Sequence, residues 1–242
     1  MNSQKGLLEA GLQQLGLSLH TETTDKLYRY MDMVLFKNQQ MNLTTITEPT
    51  EFIIKHLIDS LSCAYQNHLD SLKTIVDVGT GAGFPGIPLA IAFPDKHFFL
   101  FDSLNKRVTF LKEVCTELSL DNVQLAHGRA EDFGHSTEHR EKYDLCVSRA
   151  VASLPVLSEY CLPFVKVNGA FAAYKTNSEE LKSSNSAISK LGGKVVDQFY
   201  LSFFQEPFFQ FLSAHQIIYI KKVKQTSLQF PRKPGEATKK PL

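Results

Sequence analysis

Tryptophan is absent from this chain of 242 residues, and no apolar run approaches the ~18 residues that a membrane span needs. The N-terminus MNSQKGLLEA also lacks the basic region and apolar core of a secretory signal. Membrane anchorage and export are set aside, and a soluble, cytoplasmic protein with no membrane partner is expected. Cysteine is scarce too: Cys63, Cys115, Cys146 and Cys161 stand far apart with no CxxC pair. Neither zinc nor a disulfide framework is suggested, so no metal is expected and the thiols read as reduced and mostly buried. Internal repeats and low-complexity segments are missing as well. Net charge is only +1, but it is unevenly spread. From Lys221 to Leu242 seven basic residues face one acid, Glu236, so this stretch carries +6 and the rest of the chain −5. A basic arm on a mildly acidic body fits contact with a polyanion, or equally a solvated tail.

What is present is apolar material, 43% of the chain, enough for one α/β domain with an extension. Residues 3 to 68 read as helical, with one stripe at Leu27, Tyr30, Met31, Val34 and Leu35 and another at Ile54, Leu57, Ile58 and Leu61. Thr47 before Pro49 reads as the start signal of the second stripe, after the loop MNLTTITEP. From Lys73 onward strands and helices alternate: TIVDV, HFFLF ending at Asp102, NVQLA, YDLCVS and GAFAAY, with helices starting near Pro85, Asn105, Leu154 and Ser178. That order predicts a parallel sheet with helical crossovers; KVVDQFYLSF and HQIIYIKKV would add a hairpin at its edge. The expected units are a helical extension over 1–72, a core over 73–225 and a basic tail over 226–242. The segment FPRKPGEATKKPL reads as extended and not packing alone.

The segment TIVDVGTGAGFPGIPLA carries the strongest signal. A β-branched strand bearing Asp77 breaks into Gly79, Gly81 and Gly83 and then opens an apolar helix. Glycines let the backbone turn where a Cβ would clash and let a ligand approach closely, while the helix N-terminus adds free N–H groups. A literal GxGxxG occurs at Gly81–Gly86, but the dinucleotide fingerprint has its first glycine at the strand end, here Gly79. Counted from there, the third glycine position is Phe84, which fits a ligand without a pyrophosphate. S-adenosylmethionine is such a ligand. Asp102, 23 positions after Gly79, is placed to accept bonds from ribose hydroxyls; with Ser103 it reads equally as a helix cap. The turn GRAED is placed to meet an adenine edge, or merely to connect.

The segments MNLTTITEP, KHLIDSL, DVGTGAGFPGIPLAI, DSLNKRVTFL, GRAED, SRAVASL and FPRKPG…PL resemble, in order, the glucose-inhibited division protein B family (RsmG), from about residue 40 onward. The resemblance implies a Rossmann-like S-adenosylmethionine-dependent methyltransferase sheet with an N-terminal helical extension, acting on N7 of a guanosine in 16S ribosomal RNA. It implies cofactor contacts at Gly79, Phe84, Ala130, Glu131 and Arg149, beside Gly81, Gly83 and Asp102 from the glycine-turn reading. The expected partner is 16S ribosomal RNA or the small subunit, not DNA. Two departures stand out: Lys37-Asn38 where the family has Trp-Asn, and Lys175-Thr176 where some members have Lys-Gly.

After the fourth strand comes Ser148-Arg149-Ala150-Val151, without an NPPY clamp for exocyclic amines; nor is there a Pro-Cys nucleophile for C5 of a pyrimidine. N7 of guanine has a lone pair and no proton, so it needs positioning more than a base. No catalytic residue is assigned. Arg149 reads as a planar fork for guanine or cofactor, or as a salt bridge to Asp144 or Glu131. His56, Asp59 and Ser60 share a helix face and either line the pocket or pack. Lys106, Arg107, Lys175, Arg232 and Lys233 are candidates for phosphate contacts, though any single one reads first as a surface charge. Two other classes stay open, an NAD(P)-dependent oxidoreductase and a non-catalytic RNA-binding assembly protein.

Overall fold

The computed structural model describes residues 2–176 and 180–242 and opens with helices α1 (Asn2–Gln14) and α2 (Thr21–Met41). The α2 stripe buries Leu27, Tyr30, Met31 and Val34, while Leu35 is half-buried at its margin. A third helical stretch runs through α3 (Pro49–Phe52), a π turn (Ile53–Ile58), α4 (Asp59–Leu61) and a 3₁₀ turn (Ser62–Asn67). Its cap is Glu48, not Thr47: the Glu48 carboxylate accepts from the Glu51 N–H at 2.9 Å. Thr47 lies one residue too early to reach the first free amides.

Then β1 (Thr74–Val78), α5 (Gly86–Ala92), β2 (His97–Asp102), α6 (Asn105–Glu117) and β3 (Val123–His127) alternate. They are followed by α7 (Ala130–Phe133), β4 (Tyr143–Arg149), α8 (Leu154–Cys161) and β5 (Val165–Lys175). Next come α9 (Glu180–Lys190), β6 (Gly193–Tyr200), α10 (Phe209–Leu212), β7 (Gln216–Lys222) and α11 (Glu236–Lys239). The helix start expected near Ser178 lies outside the described residues. The sheet order is β3-β2-β1-β4-β5-β7-β6, with β1 to β5 parallel and β7 antiparallel to both neighbours. The closing hairpin does form at the edge, with β7 inserted between β5 and β6. Among the described residues no helix is long and apolar enough to cross a membrane.

Strand periodicity divides the core in two. Along β2, Phe98 and Leu100 join one buried cluster while Phe99 and Phe101 join the other, because successive side chains face opposite sides. The first cluster also takes Leu8, Leu12, Leu27, Tyr30 and Met31, so the helical extension and that face of the sheet share one core.

The last segment does pack. Phe230 is buried in the second cluster, and Arg140 donates to the carbonyls of Gly134, Thr226, Ser227 and Phe230 at 2.7–3.2 Å. Arg232, expected at a phosphate, instead donates through Nε and Nη2 to the fully buried Glu159 of α8, at 2.9 and 2.6 Å. Composition alone hid this, because the buried acid stands 73 positions away. Arg232→Ala strands that carboxylate and should lower stability by about 3–5 kcal/mol, whereas Lys233→Ala, at an exposed site, should stay within about 0.5 kcal/mol. Urea unfolding of the two variants checks the contrast.

Candidate active site

Three glycines with positive φ shape the loop after β1: Gly79 at 70°, Gly81 at 62° and Gly83 at 111°. They differ in what their bare Cα faces. A Cβ on Gly79 would meet Val151 at 2.7 Å, and one on Gly83 would meet Ile87 at 2.6 Å and the Tyr30 hydroxyl at 2.7 Å. A Cβ on Gly81 would meet nothing within 4 Å. Gly81 is thus the glycine whose open side leaves room for a ligand, while Gly83 serves close packing of protein on protein. Tyr30 fixes the loop further by donating to the Ala82 carbonyl at 2.7 Å.

Phe84 also turns inward. Its ring, 7% exposed, is boxed by Tyr30, Phe52 and His56, the last stacked at 4.3 Å and 13°. Asp77, wholly buried beneath the loop, accepts from Thr80 Oγ1 at 2.7 Å and the Gly86 N–H at 2.9 Å. Its Oδ1 has no partner among the described residues. Burial pushes this carboxyl up to about 7, against the pull of those two donors. Asp102 caps no helix; Leu104 holds the cap position of α6. Asp102 accepts from the N–H groups of Leu104 (2.8 Å) and Gly81 (2.9 Å), with Arg107 at 3.3 Å, so it braces the glycine loop.

Two clefts open at the carboxyl ends of the parallel strands. The smaller, of about 180 Å³, is lined by Val78, Gly79, Phe101, Ala130, Glu131 and Val151, among others. The larger, of about 640 Å³, takes Lys55, His56, Asp59, Arg149, Lys175 and His215. The turn after β4 stands between them, with Ala150 lining the larger and Val151 the smaller. Ala150 has φ 57°, a left-handed conformation that costs a residue with a Cβ ~1–2 kcal/mol.

Arg149 is the hub of the larger cleft. Its Nη1 donates to Asp59 Oδ2 at 2.6 Å and to the Lys55 carbonyl at 3.0 Å; its guanidinium carbon lies 5.0 Å from the Phe84 ring centre. The expected partners Asp144 and Glu131 are not used. Asp144 sits at the opposite end of β4 against Lys166, and Glu131 accepts from the Gly235 N–H at 3.3 Å. Nη2 meets His56 Nδ1 at 3.0 Å, and a guanidinium can only donate. Nδ1 is therefore the acceptor, and Nε2–H donates to Thr44 Oγ1 at 2.7 Å. Burial, joined by the Arg149 cation, drives His56 down to about 3, so the ring stays neutral. Burial pushes Asp59 up, but the donors His215 (2.8 Å to Oδ1) and Arg149 outweigh it and hold it below the usual carboxylate range.

Ser60 is buried behind this group, its carbonyl accepting from the Tyr174 hydroxyl at 2.7 Å. His215 was missed from sequence, since nothing local marks a residue that meets Asp59 from 156 positions away. Lys175 lines the cleft but is tied to Glu180 at 2.8 Å and the Ala152 carbonyl at 2.7 Å. Lys106 and Lys233 are exposed and Arg107 half-exposed. Of the departures, Lys37 pairs with Glu113 at 2.9 Å and Asn38 accepts from the Thr44 N–H.

The residues present fit S-adenosylmethionine. A buried carboxyl with one unpaired oxygen suits the ammonium of its amino-acid end, the open side of Gly81 leaves space, and the smaller cleft offers apolar walls for the adenosine.

The model of the family described as rRNA small subunit methyltransferase G matches residues 23–206. A ribosomal RNA small subunit methyltransferase G from Alkaliphilus metalliredigens is 50% identical over 98% of both chains. One from Bacillus subtilis is 43% identical over 96% of both. Among solved structures, an O-methyltransferase described as putative from Klebsiella pneumoniae aligns at TM-score 0.55 and 14% identity, over 81% of this chain and 90% of its own. A SAM-dependent O-methyltransferase from Thermotoga maritima aligns at 0.51 and 17%, over 80% and 72%. At such identities the likeness is one of fold.

Two variants probe the loop. Gly81→Val should cost about 1–2 kcal/mol of backbone strain, as should Gly16→Val, whose φ of 70° and open surroundings match. Only the former should abolish S-adenosylmethionine binding in calorimetry. For Asp77, the folded pKa lies above the ordinary 3.8, so the folded chain holds the proton more tightly and this group's stabilisation is lost as pH rises from 3.8 towards about 7. Asp77→Asn should therefore gain stability relative to wild type across that window, read from ligand-free denaturation at successive pH values.

Proposed function

The chain belongs to the rRNA small subunit methyltransferase G family, and from that premise we propose that it methylates N7 of a guanosine in 16S ribosomal RNA, in the cytoplasm. It is an S-adenosylmethionine-dependent rRNA methyltransferase, which sets aside the oxidoreductase reading. When bound, the cofactor supplies a methyl group on a positively charged sulfur. In this reading the loop Gly79–Gly81, Asp77 and Asp102 hold its amino-acid and ribose portions, and Ala130 and Glu131 border its adenine. Arg149 stands where that cleft meets the larger one, which takes the guanine. Lys106, Arg107 and Lys233 are proposed for phosphate contacts; Arg232, committed to Glu159, is not.

One observation carries the choice of N7. Among the described residues, both carboxylates that line the larger cleft are occupied: Asp59 by Arg149 and His215, Glu180 by Lys175 and the Leu154 N–H at 2.7 Å. His56 is engaged at both ring nitrogens. Neither acid is free to accept a proton; His215 keeps an open ring nitrogen in this cleft, and a nucleophile with no proton to lose does not call on it as a base. What such a reaction needs is a fixed approach, and the several bonds on Arg149 supply rigidity for that.

Reduction and aniline cleavage of ribosomal RNA methylated by the enzyme should break the strand at one 7-methylguanosine; a methyl on N1, N2 or a ribose oxygen refutes the proposal. The single-turnover rate should be nearly flat from about pH 7.5 to about pH 9, with no ascending limb of a general base. Arg149→Lys keeps the charge but loses the fork, and should slow that rate by up to about a hundredfold.

A further inference from the structure

We propose that His215 reads the target base: its Nε2 accepts a hydrogen bond from the N1–H of the guanine, making it a specificity-determining residue. This rests on the guanosine reading above. His215 immediately precedes β7, whose first residue, Gln216, pairs with Lys175 at the carboxyl end of β5. That is the end of the sheet where ligands of such folds sit. The side chain is 24% exposed and lines the larger cleft.

Its ring is oriented by a buried partner. Asp59, held ionised, can only accept, so the proton of the bond to Oδ1 belongs to His215 Nδ1. In the neutral ring Nε2, away from Asp59, is then an acceptor, and it has no partner among the described residues. Among the described residues, the cleft's cationic groups, Lys55, Arg149 and Lys175, are all donors, and its carboxylates are occupied. Gln210 and Thr176 also line it, but both are exposed at its rim.

Asp59 also sets the order of the two groups. One carboxylate oxygen holds Arg149 and the other holds His215, so a donor and an acceptor are tied to the same carboxylate. Guanine presents the complementary pair, O6 as acceptor beside N1–H as donor. Adenine presents the reverse, an amino donor beside an unprotonated N1. A donor and an acceptor fixed by one carboxylate therefore match guanine and oppose adenine, since a wrong base leaves both groups unpaired once it covers them. Asp59 acts in this as a positioning residue for both.

The test compares ribosomal RNA carrying guanosine or 1-methylguanosine at the target, with wild type, His215→Gln and His215→Lys. Glutamine keeps an acceptor of similar reach; lysine replaces it with a donor. Wild type and His215→Gln should favour guanosine in kcat/KM by roughly tenfold or more. His215→Lys should lose about that factor on guanosine and no longer distinguish the two RNAs, with cofactor Kd within about twofold in all three. The proposal falls if lysine keeps the guanosine rate, if both variants drop together, or if cofactor affinity falls in step with rate. A wild-type enzyme indifferent to 1-methylguanosine overturns it whatever the variants do. Failure of the wild type to methylate N7 of guanosine at all would instead bring down the underlying reading.

Discussion

A single buried ion pair, Arg149 on Asp59 at 2.6 Å, holds the larger cleft at the carboxyl end of the sheet in register. Burying a carboxylate as deeply as Asp59 is costly unless donors surround it, and here Arg149 and His215 do so. The pair joins the end of β4 to the third helical stretch, and through His215 to the start of β7. The guanidinium also takes the Lys55 carbonyl from the π turn and covers the face of Phe84, next to the glycine loop. Four segments remote in sequence are fixed relative to one another by this one ion pair.

The helical extension is built into the site as much as the sheet is. Tyr30 of α2 holds the Ala82 carbonyl inside the glycine loop, and Phe52 and His56 complete the box around Phe84. Because Tyr30, Phe52 and Phe84 belong to the same buried cluster as one face of the sheet, displacing α2 would disturb the glycine loop.

The parallel sheet, its edge hairpin and the glycine turn were legible in the sequence because each is a local signal: alternation along β2, the break after Val78, the short strands between helices. Arg149 was also legible as a fork, but its partner was not. The ion pair with Asp59 spans 90 positions, and charge spacing along the chain gives no hint of it. The same reason accounts for Arg232 and Glu159, where a basic, proline-containing stretch read as solvated is anchored by one buried acid. Phe84 shows another limit of local reading: its ring packs against Tyr30, Phe52 and His56, in a part of the chain that the glycine motif does not cover.

Glu159 and Arg232 also impose an order of events during synthesis. At ribosomal speeds, the 73 residues between them take about 4–15 s to make. Until then the α8 carboxylate lacks its cation, and burying it is costly. The opposite face is complete sooner, though its cluster too waits for late residues such as Phe208 and Ile217. Glu131, bordering the smaller cleft and bonded to Gly235, gains its partner after both.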